Sequence, residues 1–260
     1  MNWLKRFLLA LLGERRYLAL LAGSFQFFYK TGRLGKSYQD IYFLKELVVP
    51  GSYLVDIGAH LGYYTVEMSR LTGDTGQVFA IEPMIKFNTV LENLLRKKKL
   101  TNVKLYKVAL GGSGEYMMMG IPKLGIMKKF AYARVMESST HLKYSESEKV
   151  KNESGDRLFE GLPQLDFIKC DVEGFELPVF LSMLETIKKH FPILLVELAD
   201  RNERIRLYEL LLPLGYQTYL LSDKKLYLLD VYSEIKAISH NHYFIPIRHE
   251  QRLKNLINDD

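Results

Sequence analysis

The sequence predicts an α/β fold, a mostly parallel central sheet with helices on both faces. Three observations carry this. From Pro50-Gly51 onward, short apolar runs bounded by glycine turns alternate with segments of helical period, the signature of parallel strands joined by crossover helices. The stretch 53–65, YLVDIGAHLGYYT, reads as a buried strand entering a sharp glycine turn that opens a helix. Acids stand at the ends of four of the first five predicted strands: Asp56, Glu82, Asp171 and Glu197. Ligands of open α/β sheets bind beyond the carboxyl ends of the strands, and buried acids are costly without partners, so these positions mark a candidate site.

Composition bounds the rest. With 260 residues, 48% hydrophobic and 25% charged, the chain suits one large domain with a substantial core. A single cysteine, Cys170, excludes internal disulfides and cysteine-clustered zinc sites and agrees with a reducing cytoplasm. The net charge is +6, and the basic residues are dispersed except for Arg96-Lys97-Lys98-Lys99. That run follows the apolar pattern Phe87, Val90, Leu91, Leu94, Leu95, which places it at a helix C-terminus, where cations complement the dipole. No nucleic-acid partner is expected, because such a footprint gathers basic and aromatic residues on one face.

The elements follow in order. The first thirty residues predict two helical segments parted at Gly13-Glu14-Arg15-Arg16, the first too short to span a bilayer. Trp3, Leu4, Phe7, Leu8, Leu11 and Leu12 recur at helical spacing, with Lys5 and Arg6 between them. The favoured expectation is packing on the chain's own domain; the alternative is peripheral contact of residues 1–30 with the inner face of a membrane. A helix over 38–49 stops at Pro50-Gly51. Strands at 53–57, 77–81 and 103–108 alternate with helices at 63–71 and 86–98. Regularity lapses over 111–164, which holds Met117-Met118-Met119, Ser138-Ser139-Thr140 and the polar segment 144–156. A stretch this long predicts an insertion or lid over the active-site edge, and the methionines read as the buried face of an edge strand. A strand at 165–170, a helix at 176–190, a strand at 193–198 and a helix at 203–212 resume the pattern. Strands at 216–221, 225–231 and 242–247 lie too close together for helical crossovers, so at least one is antiparallel. The chain thus divides into a helical segment at 1–50, a main domain at 51–247 and a tail at 248–260.

The candidate chemistry sits at the strand ends. Asp56, Gly58 and Gly62 form D-x-G-x-x-x-G, with Ala59 and His60 inside the same turn. The spacing lacks the third glycine of the pyrophosphate-binding G-x-G-x-x-G, so the ligand implied carries an adenosine without a diphosphate, and S-adenosylmethionine (SAM) fits best. Glu82, twenty residues beyond Gly62, can accept both ribose hydroxyls and can also cap the helix that follows Pro83. Asp171, Glu173 and Glu176 crowd a turn that opens a helix. They read either as N-terminal helix stabilisers or as a general base and substrate binder; Mg²⁺ is compatible with them but not demanded. Lys169 is placed to neutralise those acids. His60 reads as a polar wall of the site, and His240 and His242 lack a third partner at metal-ligand spacing, so no metal site is expected.

Together these pieces resemble the FkbM family of SAM-dependent methyltransferases: VDIGAHLGYYT, VFAIEP, KVALG, LDFIKCDVEGFE, PILLVEL and NHYFIP occur in the family's order across 38–246. The resemblance implies a Rossmann-like class I methyltransferase fold, a seven-stranded sheet with its last strand antiparallel. It implies methyl transfer from SAM, commonly to a hydroxyl of a glycan or natural product. It carries Asp56, Gly58, Gly62 and Glu82 over as cofactor contacts, puts Ala109 and Leu110 near the adenine, and turns Asp171 and Glu173 toward methyl transfer. Three rivals stay open at this point: a nucleic-acid or protein methyltransferase, a NAD-dependent oxidoreductase and a non-catalytic SAM-binding domain.

Overall fold

A computed structural model describes residues 2–124, 127–136, 142–232 and 240–258. The chain opens with helix α1 (Asn2–Lys30), which is interrupted at Gly13, where φ 69° and ψ 164° leave the helical range. The expected break falls there. Helix α2 (Gln39–Leu47) ends before the expected 49, because Val48 is already extended ahead of Pro50. Strand β1 (Tyr53–Ile57), helix α3 (Tyr63–Thr72), strand β2 (Gln77–Ile81), helix α4 (Ile85–Lys98) and strand β3 (Val103–Tyr106) follow.

The stretch expected to be irregular is instead mostly strand. It holds β4 (Ala109–Leu110), β5 (Tyr116–Leu124), β6 (Met127–Lys128), β7 (Arg134–Val135) and β8 (Tyr144–Glu153). Antiparallel pairing of β5 with β8 builds a second sheet, in which β4 pairs with β8, and β6 and β7 pair with β5. The reason β8 reads as a loop is that only one of its faces is covered. Val150 and Asn152 are buried while Ser147, Lys149 and Lys151 are exposed, and the pairing that makes it a strand is non-local. Of the methionines, Met119 is buried and Met118 exposed, as alternation along β5 requires. Ser138-Ser139-Thr140 lies outside the described residues.

The chain then resumes with α5 (Gly155–Phe159), β9 (Phe167–Cys170), α6 (Glu176–Leu181), α7 (Leu184–His190), β10 (Ile193–Glu197), α8 (Arg201–Leu211), β11 (Tyr216–Ser222), β12 (Lys225–Leu228), β13 (Asn241–Pro246) and α9 (Ile247–Leu253). The single helix expected over 176–190 is therefore two. Asp156 of α5 explains the split: its carboxylate accepts from the backbone N–H of Glu185 (3.2 Å) and Thr186 (2.7 Å), capping α7 as a separate helix.

The main sheet has eight strands in the order β12-β11-β13-β10-β9-β1-β2-β3. Strands β3, β2, β1, β9 and β10 run parallel, and β13 is antiparallel to both its neighbours, β10 and β11. The resemblance implies seven strands; the eighth is β12, the strand expected at 225–231, which pairs with β11 through a two-residue hairpin at Asp223 and Lys224, both at positive φ. Alternation sends Val55, Ile57, Ile168, Cys170, Leu194 and Val196 to one face under α6, α7 and α8. Leu54, Val78, Phe167, Ile193 and Leu195 go to the other, under α2 and α3. Buried Asp40 of α2 ties that layer to β13, accepting from Asn241 Nδ2 and Tyr243 OH at 2.8 Å each.

Tyr17, Leu18, Ala22 and Phe25 of α1 are buried against the body, but of the apolar residues in its first turns expected to pack there, Trp3, Leu4, Phe7 and Leu11 are exposed and only Leu8 and Leu12 are half-buried. Glu14 joins Lys86, Lys128 and Glu146 in an ion cluster that ties α1 to α4 and the second sheet. Among the described residues, no helix is long and apolar enough to cross a membrane.

Candidate active site

Strand β1 lies where the sheet order reverses: β2 and β3 extend to one side, β9 and β10 to the other. Such a switch point opens a crevice beyond the strand ends. Asp56, Gly58, Ala59, His60, Glu82, Ala109, Leu110, Asp171 and Glu173 all line one cleft there. Gly62 does not line it. With φ 81° Gly62 caps α3, and a Cβ there would meet Leu91 Cδ1 at 2.6 Å.

The turn after β1 is held by the neighbouring strand. The backbone N–H groups of Gly58 and Ala59 donate to the carbonyl of Ile81 at 3.1 and 3.0 Å. Gly58 has φ 79°, and a Cβ on it would lie 1.9 Å from the carbonyl oxygen of Asp171. Only glycine permits this approach, which brings the ends of β1 and β9 together. Glu82 locks the other side: its Oε2 accepts from His60 N and its Oε1 from Met84 N, both at 2.9 Å. Burial pushes its carboxyl up to about 7, against the pull of those two amides. Each oxygen keeps a lone pair for a further donor.

Asp56 is buried and accepts from Thr65 Oγ1 at 2.5 Å, while its Oδ1 has no hydrogen-bond partner among the described residues. Burial raises its carboxyl, partly offset by Lys169. Such an oxygen is satisfied by a donor brought into the cleft, an ammonium above all. Ala109 and Leu110, expected at the end of the third strand, instead form β4 of the second sheet. They still reach the cleft and form an apolar slot with Ile81 and Val108 beside Glu82. An acidic bidentate acceptor, an apolar slot and a buried carboxylate fit the ribose, adenine and amino-acid parts of SAM.

A second group of residues occupies the ends of β9 and β10. Buried Lys169 donates to Asp171 Oδ2 at 2.8 Å, and its ammonium lies 5.0 Å from the Tyr64 ring centre. Burial alone would raise Asp171, but the Lys169 charge holds it below the usual carboxylate range. Glu197 shares a hydrogen bond with Asp171, and burial with the Asp171 charge pushes it up to about 7. Glu173, itself at φ 59°, pairs with Arg134 Nη2 at 3.1 Å. Burial and Asp171 raise Glu173, opposed by Arg134. Glu176 plays the structural part: it is buried, and its carboxylate accepts from the N–H groups of Val172 (3.1 Å) and Gly174 (3.0 Å), shaping the turn. These acids border a recess of about 370 Å³ that adjoins the main cleft and also touches Asp200 and Glu203.

His60 is a wall of the cleft, its ring centre 4.3 Å from that of Phe87, and burial pushes its imidazole down to about 4, so it is neutral at pH 7. His242 is a core residue whose Nδ1 lies 2.8 Å from the His240 carbonyl, and His240 is exposed. Sequence reasoning missed Phe130 and Val135, which line the cleft, and Arg134, which lines the adjoining recess. No sequence signal marks them, because the β5–β7 and β5–β8 pairings that place them are non-local. Glu197 did carry a signal, its strand-end position, which alone does not separate a site residue from a helix-facing acid.

Residues 56–230 match the family profile described as the methyltransferase FkbM domain. No curated protein matches the chain. Among solved structures, methyltransferase FkbM from Methylobacillus flagellatus KT superposes with a TM-score of 0.52 at 19% identity, over 88% of this chain and 53% of that one. The chain thus spans about half the length of that protein. Fibrillarin from Aeropyrum pernix, solved with natively bound S-adenosyl-L-methionine, gives a TM-score of 0.46 at 12% identity, over 80% of this chain and 74% of that one. The profile match covers most of the chain and begins at Asp56, near the end of β1: this chain belongs to the FkbM methyltransferase domain family and is a SAM-dependent methyltransferase of Rossmann-like class I fold.

Proposed function

We propose that the enzyme O-methylates a hydroxyl of a glycan or a related polyhydroxylated natural product. The observation that carries this reading is the acidic recess beside the cleft. Asp171, Glu173, Glu176, Glu197, Asp200 and Glu203 line it, with Arg134 as the one cation among its described lining residues. Carboxylates accept hydrogen bonds from hydroxyls and repel phosphates, so the recess favours a sugar-like acceptor over a nucleic-acid backbone. Its volume of about 370 Å³ is that of a small-ligand pocket.

In this reading Glu82 would hold the ribose hydroxyls of SAM, Ala109 and Leu110 its adenine, and Asp56 Oδ1 the ammonium of its amino-acid part. Bound SAM supplies a sulfonium methyl that is already electrophilic, so the protein's part is alignment and proton removal. Lys169 keeps Asp171 ionised, and Asp171 in turn holds Glu197 by their shared hydrogen bond. The acceptor's proton goes to this carboxylate pair, while Glu173, steadied by Arg134, orients the hydroxyl. The test is transfer from SAM with a trideuterated methyl into glycan and metabolite fractions, read by mass spectrometry as the mass gain of one labelled methyl replacing a hydrogen. Label in a hydroxyl-bearing acceptor supports the proposal; label confined to nucleic acid or protein refutes it.

A further inference from the structure

The first turns of α1 carry two opposed faces. One is fixed to the body: Leu8 and Leu9 pack against the cluster that holds Phe87, Met119 and Phe130, Lys5 Nζ donates to the Lys128 carbonyl at 3.1 Å, and Glu14, just past the break, enters the ion cluster. These contacts set the rotation of the helix. The opposite face presents Trp3, Leu4, Phe7 and Leu11 to solvent, with Trp3 72% and Leu11 66% exposed. At the α-helical repeat these four positions span about 100° of the helix surface, a continuous apolar stripe. Arg6 flanks this stripe, Arg15 and Arg16 are exposed just past the break at Gly13, and none of the three forms an ion pair among the described residues.

We propose that this face of α1 is a docking surface for an anionic lipid bilayer, with the helix lying in the interface plane. The apolar side chains enter the acyl boundary while the arginines meet anionic headgroups, the charge complement that the face lacks on its own molecule. The same arginines argue against a second copy of this chain, since a self-complementary contact would set like charges against each other. Glu14, the one acid of α1, is already held by Lys86 and Lys128. Phe87, Met119 and Phe130, of the cluster against which α1 packs, also line the cleft, so docking would hold the active site one side-chain layer from the membrane-bound helix. The inference stands whichever acceptor the enzyme methylates.

The experiment is flotation of the full chain with vesicles of phosphatidylcholine alone or mixed with phosphatidylglycerol. It is read together with the emission of Trp3, the single tryptophan of the chain. The expected result is flotation with the anionic vesicles only, a blue shift of Trp3 emission, and release by salt. F7E/L11E abolishes both signals, and R15Q/R16Q weakens anionic-vesicle binding roughly 30-fold, about 1 kcal/mol per arginine. Both variants keep the wild-type melting temperature and S-adenosylhomocysteine affinity, which separates lost docking from lost folding. Absence of flotation, equal flotation with neutral vesicles, or flotation indifferent to both variants overturns the proposal. So does a Trp3 blue shift without vesicles that tracks a dimer mass in light scattering, which would assign the stripe to self-association.

Discussion

Alanine at Gly58 tests how tightly the site is built. The left-handed φ of 79° costs an alanine about 1–2 kcal/mol by itself. Its Cβ would stand 1.9 Å from the Asp171 carbonyl oxygen and 2.9 Å from the carbonyl carbon, both backbone atoms that no rotamer change can move. Restoring ordinary contact requires about 1.5 Å of separation between the turn and the end of β9. That separation breaks the hydrogen bond from Asp171 N to the Ile57 carbonyl, 3.1 Å long, a net loss of about 1 kcal/mol. With the packing lost beside it, the total is roughly 3–5 kcal/mol, a fall in melting temperature on the order of 10 °C for a chain of this size. Gly215 supplies the control: it has the same φ of 79°, and a Cβ there meets nothing within 4 Å. Gly215→Ala should therefore lose only the conformational part, about 1–2 kcal/mol. Thermal melts and titration with S-adenosylhomocysteine on both variants read the difference. Gly58→Ala should melt lower and lose ligand affinity, whereas Gly215→Ala should keep it. Equal losses in the two variants would refute the claim that close approach of β1 and β9 builds the site.

Two further outcomes follow from the buried charges. Lys169→Met leaves Asp171 and Asp56 without their cation and should cost about 3–5 kcal/mol at pH 8 by urea denaturation. The deficit should shrink as pH falls, because protonation removes the uncompensated charges; a deficit constant with pH would sink this account. Glu197, pushed up to about 7, must be ionised to take a proton, so kcat/KM should rise with pH through about 7 and level above it. Glu197→Gln should lower turnover on the order of 100-fold and erase that limb, and a limb unchanged in the variant would remove Glu197 from the proton path.

The main sheet was legible because its strands are buried on both faces and bounded by glycine turns, so β1 and β2 could be read to the residue. The strand-end rule led to Asp56, Glu82 and Asp171 without any knowledge of contacts. What stayed hidden depends on partners far along the chain. The strand β8 is polar at most positions, and only its pairing with β5 makes it a strand. The helix over 176–190 was divided by a cap from Asp156, some thirty residues upstream, which no local pattern announces. Glu176 and Glu173 looked alike in the sequence. Folding turns one carboxylate into the loop amides and leaves the other facing Arg134. Gly62 matched a ligand-binding spacing yet serves α3 and its contact with Leu91, because one glycine pattern suits both a helix cap and a close ligand approach.

The central claim is that the cleft beside β1 holds the nucleoside of the methyl donor, with Glu82 accepting from its ribose. The most direct measurement is calorimetric titration of S-adenosylhomocysteine, and separately of NAD, into the wild type and Glu82→Ala. Two hydrogen bonds to a charged acceptor are worth about 3 kcal/mol together, so the variant should bind S-adenosylhomocysteine roughly 100-fold more weakly while NAD binds neither protein. Equal affinity of the two proteins for S-adenosylhomocysteine, or binding of NAD in its place, would contradict the account.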